Sequence, residues 1–352
     1  MTGPHDGGAM TGEPLLDVRD LKVSFRTEDG LVKAVDGVSL TLFEGETLGI
    51  VGESGSGKSV TMMSVMRLIN DPNARFEGEV LYKGHDLMTL NRDQMRAIRG
   101  TGISMIFQDP MTSLNPVYRV GSQIAEQIRA HDRVSKQAAH ARAVELLAAV
   151  GIPQAARRVD NYPHEFSGGM RQRVMIAMAV SCNPDILIAD EPTTALDVTI
   201  QAQILKLLRK LRNDFGTAVV LITHDMGVVA DLADRIAVMY AGRIVEQGNR
   251  REVFYDAQHP YTWGLLGSIA RLDRPKPRRL AAIPGQPPSL LRLSEGCAFG
   301  DRCAHRFELC DEVPPLLDRV DGDHLDACHL EPKRKKELRE TTIHPELLGN
   351  AE

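Results

Sequence analysis

The feature that most constrains this chain is Gly52-Glu53-Ser54-Gly55-Ser56-Gly57-Lys58-Ser59, set between an apolar run, Thr47 to Val51, and a helical pattern, Val60 to Ile69. Thr47 to Val51 reads as a short buried strand, so the glycine-rich segment is a turn from strand into helix. Such a turn aims successive backbone N–H groups at one point, where the positive end of the helix dipole also lies, and a polyphosphate fits there. Gly52, Gly55 and Gly57 let the backbone curl, Lys58 can reach the β- and γ-phosphates, and the Ser59 hydroxyl can ligate Mg²⁺. Ser54 to Val60 are therefore the expected triphosphate contacts. A glycine loop that merely turns the chain would not need every fixed position filled.

The 352 residues leave room for one large α/β domain and something smaller. The net charge of -5 argues against a general nucleic-acid binder, which carries a basic surplus. No apolar run approaches the roughly 18 residues of a membrane-spanning helix. Residues 1–13 lack the regions of a secretory signal and read as a disordered leader. These features point to a soluble, cytosolic protein whose five cysteines are thiols or metal ligands before they are disulfides.

Leu15 to Phe43 alternate apolar and polar residues around Glu28-Asp29-Gly30, which predicts an antiparallel pair ahead of the glycine loop. Phe25 lies on it, as a core residue or as a ring stacked on a base. Gly78 to Gly84 and Gly102 to Phe107 are further strand candidates, and Gln108 stands at the carboxyl end of the second, where ligand contacts collect in α/β sheets. Gly121 to Cys182 reads as a mostly helical insertion. Within it Ser167 is a helix N-cap, and with Gly168, Gly169 and Gln172 it forms a second helix start suited to a phosphate.

Asp185 to Asp190 is an apolar strand ending in two adjacent carboxylates, Asp190 and Glu191. Paired acids beside a buried strand are costly unless used. Beside a triphosphate, Asp190 would hold Mg²⁺ and Glu191 would take the proton of an attacking water. Asp197 precedes an amphipathic helix with Ile200, Ile204, Leu207, Leu208 and Leu211 on one face. Strand Thr217 to Thr223 delivers His224, placed to sense a γ-phosphate or simply structural.

Together, Gly52 to Ser59, Gln108, Ser167 to Gln172, Asp190-Glu191, Ala195 to Asp197 and His224 resemble, in order and spacing, the Walker A, Q-loop, signature, Walker B, D-loop and H-loop of ABC transporter ATP-binding subunits. Ile106 to Pro116, Glu165 to Arg173, Thr193 to Gln203 and His259-Pro260-Tyr261-Thr262 resemble the dipeptide and oligopeptide importer branch. Phe25 stands where many ABC proteins have Tyr. The resemblance implies a P-loop ABC nucleotide-binding domain over 14–255, with a mixed sheet core, an antiparallel β subdomain and a helical subdomain at about 121–182. It also implies head-to-tail pairing with a second, homologous cassette, so that ATP meets Ser167, Gly168, Gly169 and Gln172 of the opposite subunit. The implied partners are two permease subunits and an extracytoplasmic solute-binding protein, with the chain peripheral on the cytoplasmic side of the inner membrane. Nickel, glutathione or a glycoside are the alternative cargoes. A soluble ABC ATPase of repair or translation and a nucleotide switch that barely hydrolyses are the competing functions.

Residues 256–330 form the C-terminal extension, with Arg274 to Pro288 as linker and 331–352 as a solvated charged tail. Cys297, Cys303, Cys310 and Cys328 fall within 32 residues, while Cys182 stands apart and reads as core. Zinc sites usually supply a closer pair, whereas here the nearest has five residues between. Four thiolates so spaced suit a [4Fe-4S] cluster, one per iron, as the importer branch carries; zinc is the second reading and unligated thiols the third, and His305, His324 or His329 could replace a ligand.

Overall fold

The computed structural model describes residues 12–109, 113–194, 196–268 and 283–343. Its strands are β1 (Leu16–Thr27), β2 (Gly30–Leu42), β3 (Thr47–Val51), β4 (Ala74–Tyr82), β5 (His85–Asp86), β6 (Ile103–Ile106), β7 (Ile186–Asp190), β8 (Ala218–Thr223), β9 (Arg235–Tyr240), β10 (Arg243–Asn249), β11 (Asp318–Asp321) and β12 (His324–Asp326). The chain divides into two compact units, one of Met1–Thr41, Leu48–His85 and Thr223–Glu352, the other of Leu42–Thr47 and Asp86–Ile222.

In the first unit an antiparallel sheet runs β2-β1-β4-β5. The alternation seen in the sequence is used as expected: Leu16, Val18, Leu21 and Val23 of β1 are buried, and their neighbours are not. A second set of strands brings β3 parallel to β9, β9 antiparallel to β10 and β10 antiparallel to β12. The register of the last pair sets Glu246 opposite Asp326. β3 is buried throughout, as its unbroken apolar run requires.

One hydrophobic core joins Val51, Val238 and Tyr240 to Tyr261, Trp263 and Phe299. The cysteine-bearing region thus shares its packing with the strand that leads into the glycine loop. Helix Pro260–Gly267 supplies Tyr261 and Trp263, both fully buried. The charged tail differs from its expectation. Pro332–Ile343 is a helix, and Lys335 is buried with its Nζ 2.7 Å and 3.0 Å from the Asp326 carboxylate oxygens. A run of like charges need not be a solvated face when one member finds a buried carboxylate. Of the proposed linker, 274–282 lie outside the described residues, as do 1–11 of the leader.

In the second unit β6, β7 and β8 run parallel, with β7 between the other two. Helices Val120–His131, Lys136–Ala149 and Gly168–Ala179 fill the stretch expected to be helical. Ser135 caps the second of these, its hydroxyl accepting from the Ala138 N–H at 3.1 Å. Helix Val198–Phe215 buries Ile204, Leu205, Leu207, Leu208 and Leu211 and ends at Gly216, in the left-handed conformation. Ile200 lies at the edge of that stripe, half-buried.

Candidate functional site

The glycine loop in the first unit has the predicted strand-to-helix setting, from β3 into helix Lys58–Val65. Gly52 and Gly57 are required there. Their φ angles are 156° and 99°, and a Cβ would lie 2.2 Å from the Met239 carbonyl oxygen or 2.4 Å from that of Ala34. Lys58 is buried inside the loop, its Nζ donating to the carbonyls of Gly52 and Glu53 at 2.8 Å each and to Ser56 Oγ at 3.3 Å. Ser54 and Gly55 form the exposed crest, and Ser59 and Val60 are half-buried at the helix start. The loop's own oxygens thus hold the ammonium at a helix N-terminus, the setting in which a phosphate binds.

Phe25 sits on β1 opposite Ala74 and is half-buried, so its ring is outside the fully buried core. His224 is exposed just past β8, and the adjacent Asp225 caps helix Met226–Leu232 through a 2.8 Å bond from the Gly227 N–H.

In the second unit the paired acids differ in setting, though not by strand alternation: β7 is buried throughout and ends at Asp190, and Glu191 already lies in the turn beyond it. Asp190 closes β7 and is buried, an oxygen donor of the hard type that suits Mg²⁺. Glu191 turns the chain with φ at 46°, a left-handed conformation that costs a non-glycine residue about 1 kcal/mol. Its N–H donates to Ile222 O at 2.9 Å. Its carboxylate accepts from Gln108 Nε2 at 2.9 Å and from Thr194 Oγ1 at 2.7 Å. The sequence placed Gln108 and Glu191 in separate motifs, and the structure brings them into contact. Thr194 was passed over because a loop threonine carries no signal of its own.

Ser167 is the N-cap of helix Gly168–Ala179, with Oγ 3.4 Å from the Met170 N–H, and Gly168 is exposed beside it. Gln172 departs from the expected role: it is 2% exposed, and its Nε2 is buried without a hydrogen-bond partner. One turn into the helix, its side chain points inward instead of standing beside Ser167. Asp197 caps helix Val198–Phe215, Oδ1 accepting from the Ile200 N–H at 3.0 Å. Ala195 and Pro110 to Thr112 lie outside the described residues.

The four clustered cysteines line a single small cavity in the first unit together with His259, His305 and His329. Burial pushes the Cys303 thiol up to about 11 and the Cys328 thiol up to about 12, and Cys297 rises for the same reason. Backbone N–H groups of Phe299 and Gly300, His305 and Leu330 point at these sulfurs and oppose the rise. Dry, N–H-ringed thiols need a cation to ionise. All five cysteines are free thiols, and among the described residues no three ligand side chains stand close enough to hold one metal ion. Of the alternative histidines, His324 is engaged by Glu246 at 2.8 Å and His329 by the Val313 carbonyl at 2.8 Å. Cys182, in the second unit, is half-buried, and burial raises its thiol.

Sequence reasoning missed the groups that bind the glycine loop to the C-terminal region. Arg302 Nη1 and Nη2 donate to the Glu53 carboxylate at 2.6 Å and 3.0 Å, and the Glu53 N–H donates to Tyr261 Oη at 2.8 Å. Their separation along the chain leaves no local pattern to read. It also missed Glu246, fully buried, which accepts from the N–H groups of Gln258 and His259 as well as from His324.

With this geometry in place, comparison with known proteins is informative. Residues 35–194 match the ABC transporter family, and residues 245–310 match the oligopeptide/dipeptide transporter C-terminal region. The oligopeptide transport ATP-binding protein OppD of Bacillus subtilis is 55% identical over 88% of this chain and 87% of its own length. The dipeptide transport ATP-binding protein DppD of the same organism is 52% identical over 92% of this chain and 96% of its own. Among solved structures, the dimeric post-hydrolysis state of the ATP-binding cassette MJ0796 with ADP and Pi superposes with a TM-score of 0.60 at 30% identity, over 67% of this chain and 99% of that one.

Proposed function

Because this chain belongs to the ABC transporter ATPase family and hydrolyses ATP, we propose that it powers the uptake of di- or oligopeptides through two permease subunits. It works on the cytoplasmic side of the membrane, paired with a second, homologous cassette and supplied by an extracytoplasmic solute-binding protein. Among the described residues no helix is long and apolar enough to cross a membrane. The observation that carries the catalytic reading is the Glu191 carboxylate, fixed beyond buried Asp190 by Gln108 and Thr194.

In the first unit, Ser54 to Val60 bind the triphosphate, Lys58 offsets charge that develops on it, Ser59 offers a hydroxyl to Mg²⁺, Phe25 stacks on the base and His224 orients the γ-phosphate. In the second unit, Asp190 and Gln108 offer oxygens to Mg²⁺, and Glu191 accepts the proton of the attacking water. Ser167, Gly168 and Gly169 meet the nucleotide of the opposite cassette, and Asp197 belongs to the loop between cassettes. Mg²⁺, when bound, neutralises phosphate charge. Cys297, Cys303, Cys310 and Cys328 would hold a [4Fe-4S] cluster, a reading supported by their shared cavity, and it would staple the segment that carries them.

The test is uptake into proteoliposomes holding both cassettes and both permeases, with the binding protein outside the vesicles and ATP within. Labelled tri- to pentapeptides should accumulate and stimulate ATP hydrolysis. Accumulation of nickel, glutathione or a glycoside, with peptides inert, would overturn the peptide assignment while leaving the ATPase intact.

A further inference from the structure

The glycine loop carries an acid where its ligand is anionic. Glu53 is the second residue of that loop, and a carboxylate facing a triphosphate repels it. In the structure the carboxylate is gripped by the Arg302 guanidinium in a two-pronged ion pair, with the arginine side chain only 4% exposed. Arg302 is itself fixed: Nε donates to Pro284 O at 2.8 Å, Nη1 lies 3.3 Å from Tyr240 Oη, and the guanidinium lies over the Tyr240 and Phe299 rings. The Glu53 N–H is held by Tyr261, whose ring packs on Tyr240 and Phe299. Backbone and side chain of one loop residue are thus both anchored in residues 240–302.

We propose that Arg302 is a positioning residue for ATP binding, which neutralises Glu53 and, with Tyr261, holds the phosphate loop in its receptive curvature. The inference rests on the reading of Gly52 to Ser59 as the triphosphate loop. Two effects follow. Preorganisation removes an ordering cost from nucleotide binding. Neutralisation removes a like charge from beside the phosphates. The segment from Cys297 to Cys303 ends one residue past Arg302, so the cysteine pocket and the phosphate loop share one short stretch of chain.

The experiment measures the affinity of the full-length chain for a fluorescent ATP analogue at low and high salt, and kcat and KM in the assembled transporter. R302M should weaken binding about tenfold at low salt, the worth of a charged hydrogen-bonded pair. It should raise KM more than it lowers kcat, and the loss should shrink as salt screens Glu53. R302K should recover part, since an ammonium cannot span both oxygens. Adding E53Q to R302M should restore most of the affinity. Wild-type affinity in folded R302M, or a loss that E53Q does not relieve, would overturn the inference. Should R302M lose its fold by circular dichroism, Y261F decides, because it removes one hydroxyl: about threefold weaker binding supports the anchor, and unchanged binding refutes it. Normal ATP binding by K58A would instead sink the loop assignment beneath it.

Discussion

Replacing Lys335 by Met isolates one buried carboxylate and shows how firmly the C-terminal helix is built in. Lys335 and Asp326 side chains are each 5% exposed, and Nζ makes two hydrogen bonds of 2.7 Å and 3.0 Å. Removing one partner of such a pair leaves an uncompensated buried charge, and the cost is about 3 to 5 kcal/mol. Surface screening does not reduce it, because neither group reaches solvent. Trp263 reports the loss directly. It is the only tryptophan in the chain, fully buried in the core against which Leu338 of the same helix packs. With a urea dependence of about 2 to 3 kcal/mol per molar, the Trp263 fluorescence midpoint should fall by about 1 to 2.5 M. K335M with D326N, which leaves no charge behind, should recover most of the fall. A midpoint unchanged by K335M, or a double variant as weak as the single, would refute the buried-pair argument.

Further outcomes follow from other groups. E191Q should lower ATP turnover about 10²-fold or more while ATP still binds, as loss of a general base does; near-wild-type phosphate release would remove Glu191 from that role. His324 is raised overall: burial works against its charged form, but Glu246, Glu252 and Asp256 outweigh it. A histidine with a raised folded pKa stabilises below its unfolded value near 6.5 and loses that contribution as pH climbs through the folded one. The Trp263 midpoint should therefore fall with pH above about 6.5 in the wild type and less so in H324Q. Purified anaerobically, the protein should be brown, with broad absorption at about 400 nm from thiolate-bound iron, and C303S should bleach it; a colourless sample with one zinc per chain would replace the cluster with zinc.

The motifs were legible because their physics is local. A strand, a glycine turn and a helix are adjacent in sequence, and so are an apolar run and the two acids that end it. β1, β3 and β7 could be placed from alternation or from unbroken apolar stretches alone. The contacts that join motifs were not legible. Gln108 meets Glu191 across 83 residues, and His324 meets Glu246 across 78. No periodicity encodes such pairs. The charged tail misled for a related reason: composition around Lys335 reads as solvated until Asp326 is seen beside it. Gln172 misled because motif membership says nothing of which way a helical side chain points.

The Glu53–Arg302 pair also imposes a schedule on the making of the protein. The acid leaves the ribosome 249 residues before the guanidinium that will hold it, a delay of roughly 25 s at ~10 residues per second. Throughout that interval the Glu53 carboxylate stands without the guanidinium that will hold it. If Arg302 positions the loop as proposed, full affinity for nucleotide arrives only once synthesis has passed the cysteine segment.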